Sequence, residues 1–548
     1  VERSALARVA RAMDVRGPDG RSEHLLGEGG FAVTLGAPGE SGAQVAGERS
    51  GRWWVAADGE LLNARSLLSE LTAWEEAPAE PSTPAIAAVI FAARGFQVGL
   101  ERLAGDVAFL AWDAEEKVLW AARDRAGLRP LCWAIAPDGT ILVASEPHSL
   151  LAWPGISADE DTDALREGLA LGAPLPPRTP WRAVRALAPG ELLRWGGQVE
   201  TRRWWEEAAN PAGADGARYR WARSAQFGAE LAIQQRAAVD APVAVALSGG
   251  VYSEALLVAT AARRRDPVLA LTLHAEGSEL EPRAAAAAAR ARADHRVIPL
   301  LREEIPATLA DVVAREPILS PEALGWWALS RAAWERGAQV LLTGVGGAAL
   351  FGGPEIPTHE RAAALPGIGA LGRLALATRR TPWARRHLQR SDRDDVLGSV
   401  ETLAASAPTP DPLGAALWLD RRLGAELAHA VCDRAGAGHG VRMSAPFADA
   451  PLARLVASIP IGHLVQVRRP RGLLLDALKE RLAGDPPGHR PMALPVRAWL
   501  EDPRLTQDVP SLLADLLPPE ESRRLLAEGA ARRAWALVAL AAWRRARA

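Results

Sequence analysis

Short apolar runs bounded by turn formers dominate the first two hundred positions. Trp53–Ala56, Val107–Trp112, Val118–Ala122 and Ile141–Ala144 are such runs, with Asp58-Gly59, Gly127 and Asp138-Gly139 between them. This pattern predicts short, half-buried strands, and helical spacing such as Asn63–Glu70 falls in the gaps. The stretch from about Trp205 to Gly216 is polar, rich in Gly and Ala, and aperiodic, so it is expected to be a linker. Beyond it the pattern changes. A helix is expected near Tyr219–Ala238, and strands at Val243–Leu247, Val268–Leu273, Arg296–Leu301 and Val340–Thr343, with an Ala-rich helix near Arg283–Ala293. Alternating strand and helix signals predict a parallel sheet with helices on both faces. From about residue 400 the pattern is mostly helical, and Ala534–Trp543 reads as a terminal helix packed on the core. The expectation is therefore an α+β sandwich over 1–204 and an α/β domain with a parallel sheet over 217–548.

The most informative run is Val243-Ala244-Val245-Ala246-Leu247-Ser248-Gly249-Gly250-Val251-Tyr252-Ser253. It reads as a buried strand, a turn of small residues, and the start of a helix. Backbone N–H groups in such a turn converge at the positive end of a helix dipole, which suits the phosphates of a nucleotide.

Composition narrows the rest. A net charge of -2 gives no electrostatic reason to expect nucleic acid or an acidic membrane as partner. No apolar run reaches the ~20 residues that span a bilayer, and no secretory signal is read. Cys132 and Cys432 fit no metal spacing, so a reducing cytoplasm with two inert thiols is expected. Lys117 and Lys479 are the lysines of the chain, which leaves few ammonium groups for catalysis. His148, His274 and His295 are scattered and are read as solvent or packing residues. Asp124 is read as the centre of an Arg-Asp-Arg ion-paired turn. The tryptophans are read mostly as core or interdomain anchors.

Motifs in both halves resemble the glutamine-dependent asparagine synthetase family and its relatives, the β-lactam synthetases and lasso-peptide cyclases. Arg16-Gly17-Pro18-Asp19, Asp58-Gly59-Glu60-Leu61-Leu62-Asn63, Ala122–Leu131, Ala144-Ser145-Glu146 and Ala188-Pro189-Gly190 follow the family order in the first half. Leu247–Gly250, Leu341–Gly353, Ala445–Asp449 and the segment from Arg490 to Trp499 do so in the second. The resemblance implies a class II glutamine amidotransferase-like domain and an ATP-pyrophosphatase-like synthetase domain. It implies ATP at Leu247, Ser248, Gly249, Gly250, Ser253, Leu273, Thr343 and Gly344, and a remnant of the glutamine pocket at Asp58, Gly59 and Glu60.

The residues that carry charge in the family's chemistry are missing. The family's N-terminal Cys attacks the glutamine amide, and this chain, which opens on Val1, has no Cys before Cys132. A start slightly upstream would restore one, yet Val15 replaces a His, Asp58 replaces an Asn, and the family's acids are absent around Ser82–Ile86. In the second half, Tyr252, Val345, Ala348 and Ala349 stand at positions where the family places acids for magnesium. Arg442 stands for a Glu, Ser444 for an Arg, Arg471 for the second-step Lys, and Leu475 for the Arg after it. Arg471 keeps a charge but is a poor proton shuttle. These losses lead us to expect a catalytically impaired copy, a pseudoenzyme or partner subunit, with ATP as a candidate ligand and Mg²⁺ lacking its usual acids. One alternative is an active, diverged asparagine synthase or lasso-type cyclase in asparagine or natural-product biosynthesis. It would act on a small-molecule or peptide substrate and needs a substitute acid such as Glu254, Glu276 or Asp449. Glu254 lies about 100° further round the helix than the lost acid, which aims it elsewhere. Another alternative is a nucleotide sensor without turnover. A protein partner or a second copy of the chain is the expected associate.

Overall fold

The computed structural model describes residues 3–14, 16, 20–26, 29–35, 45–206, 208–210, 216–237, 241–278, 282–352, 402–403, 406–409, 411–464, 472–478, 482, 492 and 494–547. Two compact units form. The first comprises Val1–Asp161, Pro176–Glu206 and Ala437–Arg442; the second comprises Thr162–Leu175, Glu207–Gly436 and Met443–Ala548. Residues 162–175 thus group with the second unit and residues 437–442 with the first, whereas the ranges read from the sequence, 1–204 and 217–548, are contiguous.

The first unit is built on antiparallel strands. β1 (Gly20–Leu26) pairs with β2 (Gly29–Leu35) as a separate ribbon. β3 (Val45–Gly47), β4 (Trp53–Leu61), β5 (Gly105–Asp113), β6 (Val118–Ala122), β10 (Glu191–Trp195) and β11 (Val199–Arg203) make a six-stranded sheet in the order β11-β10-β6-β5-β4-β3. β7 (Cys132–Ile135), β8 (Ile141–Ala144) and β9 (Arg185–Ala186) make a three-stranded sheet in the order β8-β7-β9. Alternation along Trp53, Val55 and Ala57 turns these side chains into the core. There they meet the helix Thr83–Arg94, buried along most of its length. Ser82 caps that helix by accepting from Ala85 N, Pro84 sits in its first turn, and Gly95 at φ +72° ends it. Phe91, Phe96 and Trp120 fill the space between helix and sheet with ring centroids 4.7 and 5.0 Å apart.

The second unit carries a five-stranded sheet in the order β14-β13-β12-β15-β16. Its strands are β12 (Val243–Ala246), β13 (Leu269–Ala275), β14 (Asp294–Leu300), β15 (Val340–Leu342) and β16 (Arg442–Ser444). β12 runs parallel to both β13 and β15, and β13 parallel to β14. The apolar strand Val243–Ala246 is central because a strand flanked on both sides and covered on both faces tolerates no charge. The helix Ala531–Arg547 is buried at every position from Ala534 to Trp543. The predicted linker is not wholly loose: Asn210 is 1% exposed, and its amide donates to the carbonyls of Val456 (2.7 Å) and Ile459 (3.1 Å). Among the described residues no helix is long and apolar enough to cross a membrane.

Candidate functional site

In the second unit the turns that follow β12, β15 and β16 lie on one edge of the sheet, the carboxyl edge where open α/β sheets bind ligands. After β12, Leu247 N still donates to Leu271 O (2.8 Å), and Gly249 at φ +75° turns the chain into the helix Val251–Ala261. Ser253 ties this turn together. Its Oγ accepts from Ser248 N (3.1 Å), lies 3.1 Å from Ser248 Oγ and donates to Gly250 O (3.0 Å). Thr343, 1% exposed, donates its backbone N–H to Ser444 O (2.8 Å), which joins the turn after β15 to β16. Ser444 itself is buried. Leu273 directs its side chain toward Gly325, so it serves packing.

Tyr252 stands where the sequence reading expects an acid. The side chain is 5% exposed and belongs to the core of the unit. Its ring meets Phe447 edge to face at 5.3 Å and lies over the backbone of Gly347, where an added Cβ would stand 2.4 Å from Tyr252 Cδ1. Gly344 is also close to Tyr252, with 3.1 Å from its Cβ position to Tyr252 Cβ. Aromatic carbon therefore fills the space between the two Gly-rich turns. Val345, Ala348 and Ala349 on the second turn are half-buried and offer no oxygen side chain.

The substitute acids named from the sequence are committed elsewhere. Glu254, 1% exposed, pairs with Arg283 (Nη2 to Oε2, 3.2 Å) and faces Arg290 (3.9 Å). Asp449 pairs with the buried Arg236 (2.8 Å) and caps the helix Ala450–Ala457 by accepting from Leu452 N. Glu276 accepts from the backbone of Arg302 (2.9 Å). Arg283 and Arg290 were not singled out from the sequence. Their i, i+7 spacing on an otherwise Ala-rich helix was the signal available, because it puts both on one face.

In the first unit, four of the sequence motifs converge on one ionic cluster. Arg16 Nε donates to Asp58 Oδ2 (2.9 Å) and Arg16 Nη1 to Glu146 Oε1 (3.0 Å). Ser145 Oγ donates to Asp58 Oδ2 (2.7 Å), and Arg129 stands 3.8 Å from Asp58 Oδ1. Burial would raise the Asp58 carboxyl, but the charges of Arg16 and Arg129, with hydrogen bonds from Arg16 and Ser145, outweigh it and bring it down to about 2. An Asn amide at this point could donate; an ionised carboxylate can only accept. Gly59 at φ +114° runs so close to β5 that a Cβ would lie 2.0 Å from Asp106 O. Glu60 is ion-paired with Arg442. Arg442, expected at the reacting centre of the second half, belongs by its packing to the first unit, because the chain enters the second unit at Met443.

Asp124 is structural, though by another device than the ion pair read from the sequence. It accepts from the backbone N–H of Ala126, Leu128 and Arg129, while Arg123 donates to the carbonyls of Leu187, Gly127 and Arg129. Burial is the largest influence on its carboxyl, which is pushed up to about 6. His148 lies 3.0 Å from Ala12 O, and His295 lies 2.8 Å from Thr272 Oγ1; His274 is half-buried on β13. Cys132 and Cys432 are buried and in no disulfide, and burial pushes the Cys432 thiol well above its ordinary value. Leu475 is half-buried on the helix Gly472–Leu478. Val15, Gly17–Asp19, Gly353, Arg471 and Arg490 lie outside the described residues.

The family model described as Asparagine synthase matches residues 230–546, and the one described as Glutamine amidotransferase domain matches residues 1–205. A candidate glutamine-hydrolyzing asparagine synthetase of Mycobacterium tuberculosis is 30% identical over 377 residues, 64% of this chain and 57% of the relative. Asparagine synthetase (glutamine-hydrolyzing) 3 of Bacillus subtilis is 27% identical over 267 residues, 46% of this chain and 42% of the relative. The chain thus spans about half the length of the curated relatives it matches. Among solved structures, the allosteric regulatory enzyme of purine biosynthesis matches 54% of this chain and 77% of its own at 15% identity and a TM-score of 0.29, too loose to bear on function.

Proposed function

The chain belongs to the asparagine synthase family, with a glutamine amidotransferase domain before the synthase domain, and from that premise we propose that this copy keeps the phosphate-cradling turn without the family's catalysis. Its role in this reading is that of a partner or regulatory subunit for a biosynthetic enzyme. The observation that carries the reading is the Tyr252 ring packed onto Gly347 and Phe447.

The family uses ATP. Activating a carboxylate with ATP requires a cation to neutralise the triphosphate as pyrophosphate leaves, and Mg²⁺ takes carboxylate and phosphate oxygens in tight octahedral geometry. The described residues at the turn do not fit that ion. Where an acid is expected there is an aromatic ring, and Glu254 and Asp449 are held by arginines. Loss of a single electrostatic contact to a transition state costs about 3 kcal/mol, roughly a hundredfold in rate, and here several are lost together.

Glutamine hydrolysis fails in this reading for a matching reason. The cluster around Asp58 balances two arginines with two carboxylates and offers no free donor at position 58 for a developing oxyanion. The test is exchange of labelled pyrophosphate into ATP with Mg²⁺ and either aspartate or a peptide acid, alongside release of ammonia from glutamine. Background rates are expected in both assays. Exchange that depends on an acyl acceptor, or steady ammonia release, would overturn the proposal.

A further inference from the structure

We propose that the helix Arg218–Ala237 is a docking surface on which a second copy of this chain pairs, helix against helix and antiparallel. The inference goes beyond the reading of the two Gly-rich turns and does not depend on whether they are catalytic.

One face of this helix is committed to its own unit. Ala222, Ala225, Ala229, Ala232, Ile233 and Arg236 are buried at the three-and-four spacing of a core-facing stripe. The opposite face of such a helix is ordinarily polar, and here it is not. Tyr219, Phe227 and Leu231 are 63%, 69% and 42% exposed. Exposed Arg223 completes the row 219, 223, 227, 231. Residues four apart form one ridge along a helix, and this ridge runs ~18 Å. Phe227 breaks the habit of its residue type in this chain: Phe91, Phe96, Phe109, Phe351 and Phe447 are all at most 3% exposed. The apolar surface continues to either side of the ridge. On one side Gly228 leaves room for the half-buried Leu455, whose Cδ2 lies 2.7 Å from where a Cβ would stand. On the other a shallow groove is lined by Ala229, Glu230 and Ile233 together with Ala255, Val258 and Ala259 of the helix Val251–Ala261.

Charge says what covers this face. Arg223 and Glu230 are seven residues apart, so they lie two turns apart on the same side of the ridge. An antiparallel twofold pair centred beside Phe227 sets the arginine of each copy opposite the glutamate of the other, twice over. A parallel pair would set like charges together. Glu230 already accepts from Gln226 (2.9 Å), and a carboxylate takes several donors at once, so the two contacts do not compete. The face is therefore its own complement, with apolar ridge against apolar ridge and unlike charges at the flank. Packing of two four-residue ridges crosses the helices at about −50°. The three exposed side chains offer on the order of 300 Å² of apolar surface, the size of patch that marks interaction sites on monomers. A standard interface takes about 800 Å² from each partner, so this ridge with its flanks gives a weak, reversible pair.

Sedimentation equilibrium of the full chain from about 1 to 200 µM tests this. The mass is expected to rise with concentration from one chain to two, with a dissociation constant of about 10–100 µM. Phe227→Asp is expected to weaken pairing by about tenfold or more, with an unchanged circular dichroism spectrum because the side chain is exposed. Arg223→Glu is expected to weaken it by about threefold or more, and Arg223→Glu combined with Glu230→Arg to return it to within about threefold of wild type. Association through apolar surface alone would not recover under that exchange of charges. A single-chain mass at every concentration would overturn the inference and leave the face to a different protein. A pair that Phe227→Asp leaves unchanged, or a double variant as weak as Arg223→Glu, would overturn it as well. None of these outcomes bears on pyrophosphate exchange, which tests the catalytic reading separately.

Discussion

Replacing Asp58 by Asn exchanges one oxygen for an amide and restores the residue that the family motif carries there, yet the structure predicts that it harms the protein. The Asp58 carboxyl lies near 2 in the folded chain against an ordinary 3.8, because Arg16 and Arg129 outweigh the cost of burial. A difference of nearly two pH units corresponds to about 2.5 kcal/mol of stability. The sign follows from the depressed value: the contribution is fully present above pH ~4 and is lost as pH falls through about 2. Asn removes it and takes the carboxylate charge away from Arg16 and Arg129, each with 8% of its side chain accessible. For a unit of this size 1 kcal/mol moves the melting temperature by about 2–4 °C, so the variant should melt roughly 5–10 °C lower near neutral pH. Tryptophan fluorescence during heating follows the transition, since Trp53 and Trp120 lie in the core of the same unit. The gap should narrow as pH is lowered from about 4 towards 2, and ammonia release from glutamine should stay at background. A variant that melts with the wild type at neutral pH, or a gap that ignores pH, would refute the electrostatic reasoning.

Two further expectations concern the second unit. Gly347→Ala should destabilise by about 1–3 kcal/mol through overpacking against the Tyr252 ring, despite the better helix propensity of Ala; in a denaturant-based double-mutant cycle with Tyr252→Ala, a coupling below about 0.5 kcal/mol would contradict the contact. Arg236→Met strands the buried Asp449 and should cost about 3–5 kcal/mol in urea unfolding, with an unchanged midpoint as the refuting result.

What was legible in the sequence was local. The switch at Val243–Ser253 from strand to glycine turn to helix is encoded by neighbouring residues, and β12 and the following helix formed there. The strands at Trp53, Val107, Val118 and Ile141 were readable from their alternation and their turns. The helix Thr83–Arg94 was not, because it is apolar nearly all round and has no polar face to give a period. β10 and β11 were missed as well, since Glu191–Trp195 and Val199–Arg203 mix charges into short strands. At the candidate site the sequence named the residues standing where acids are expected but not how they pack. The packing of Tyr252 against Gly347 joins residues from two turns far apart in the chain. The partners of Glu254 come from another helix, and Arg442 pairs with Glu60, 382 residues away in the chain. Such pairings depend on tertiary proximity, which single-sequence periodicity does not carry.

The parallel pairing of β12 has a consequence for how the protein is made. Its two neighbours are β13 and β15, and Val243 is matched with Val340, roughly a hundred residues later in the chain. At about 5–20 residues per second of synthesis, β12 waits several seconds with one edge open before β15 emerges. An apolar strand with an unpaired edge is a template for wrong partners during that interval. Yield in a cell should therefore depend on ribosome speed and on chaperones that cover nascent chains more than on the final stability of the sheet.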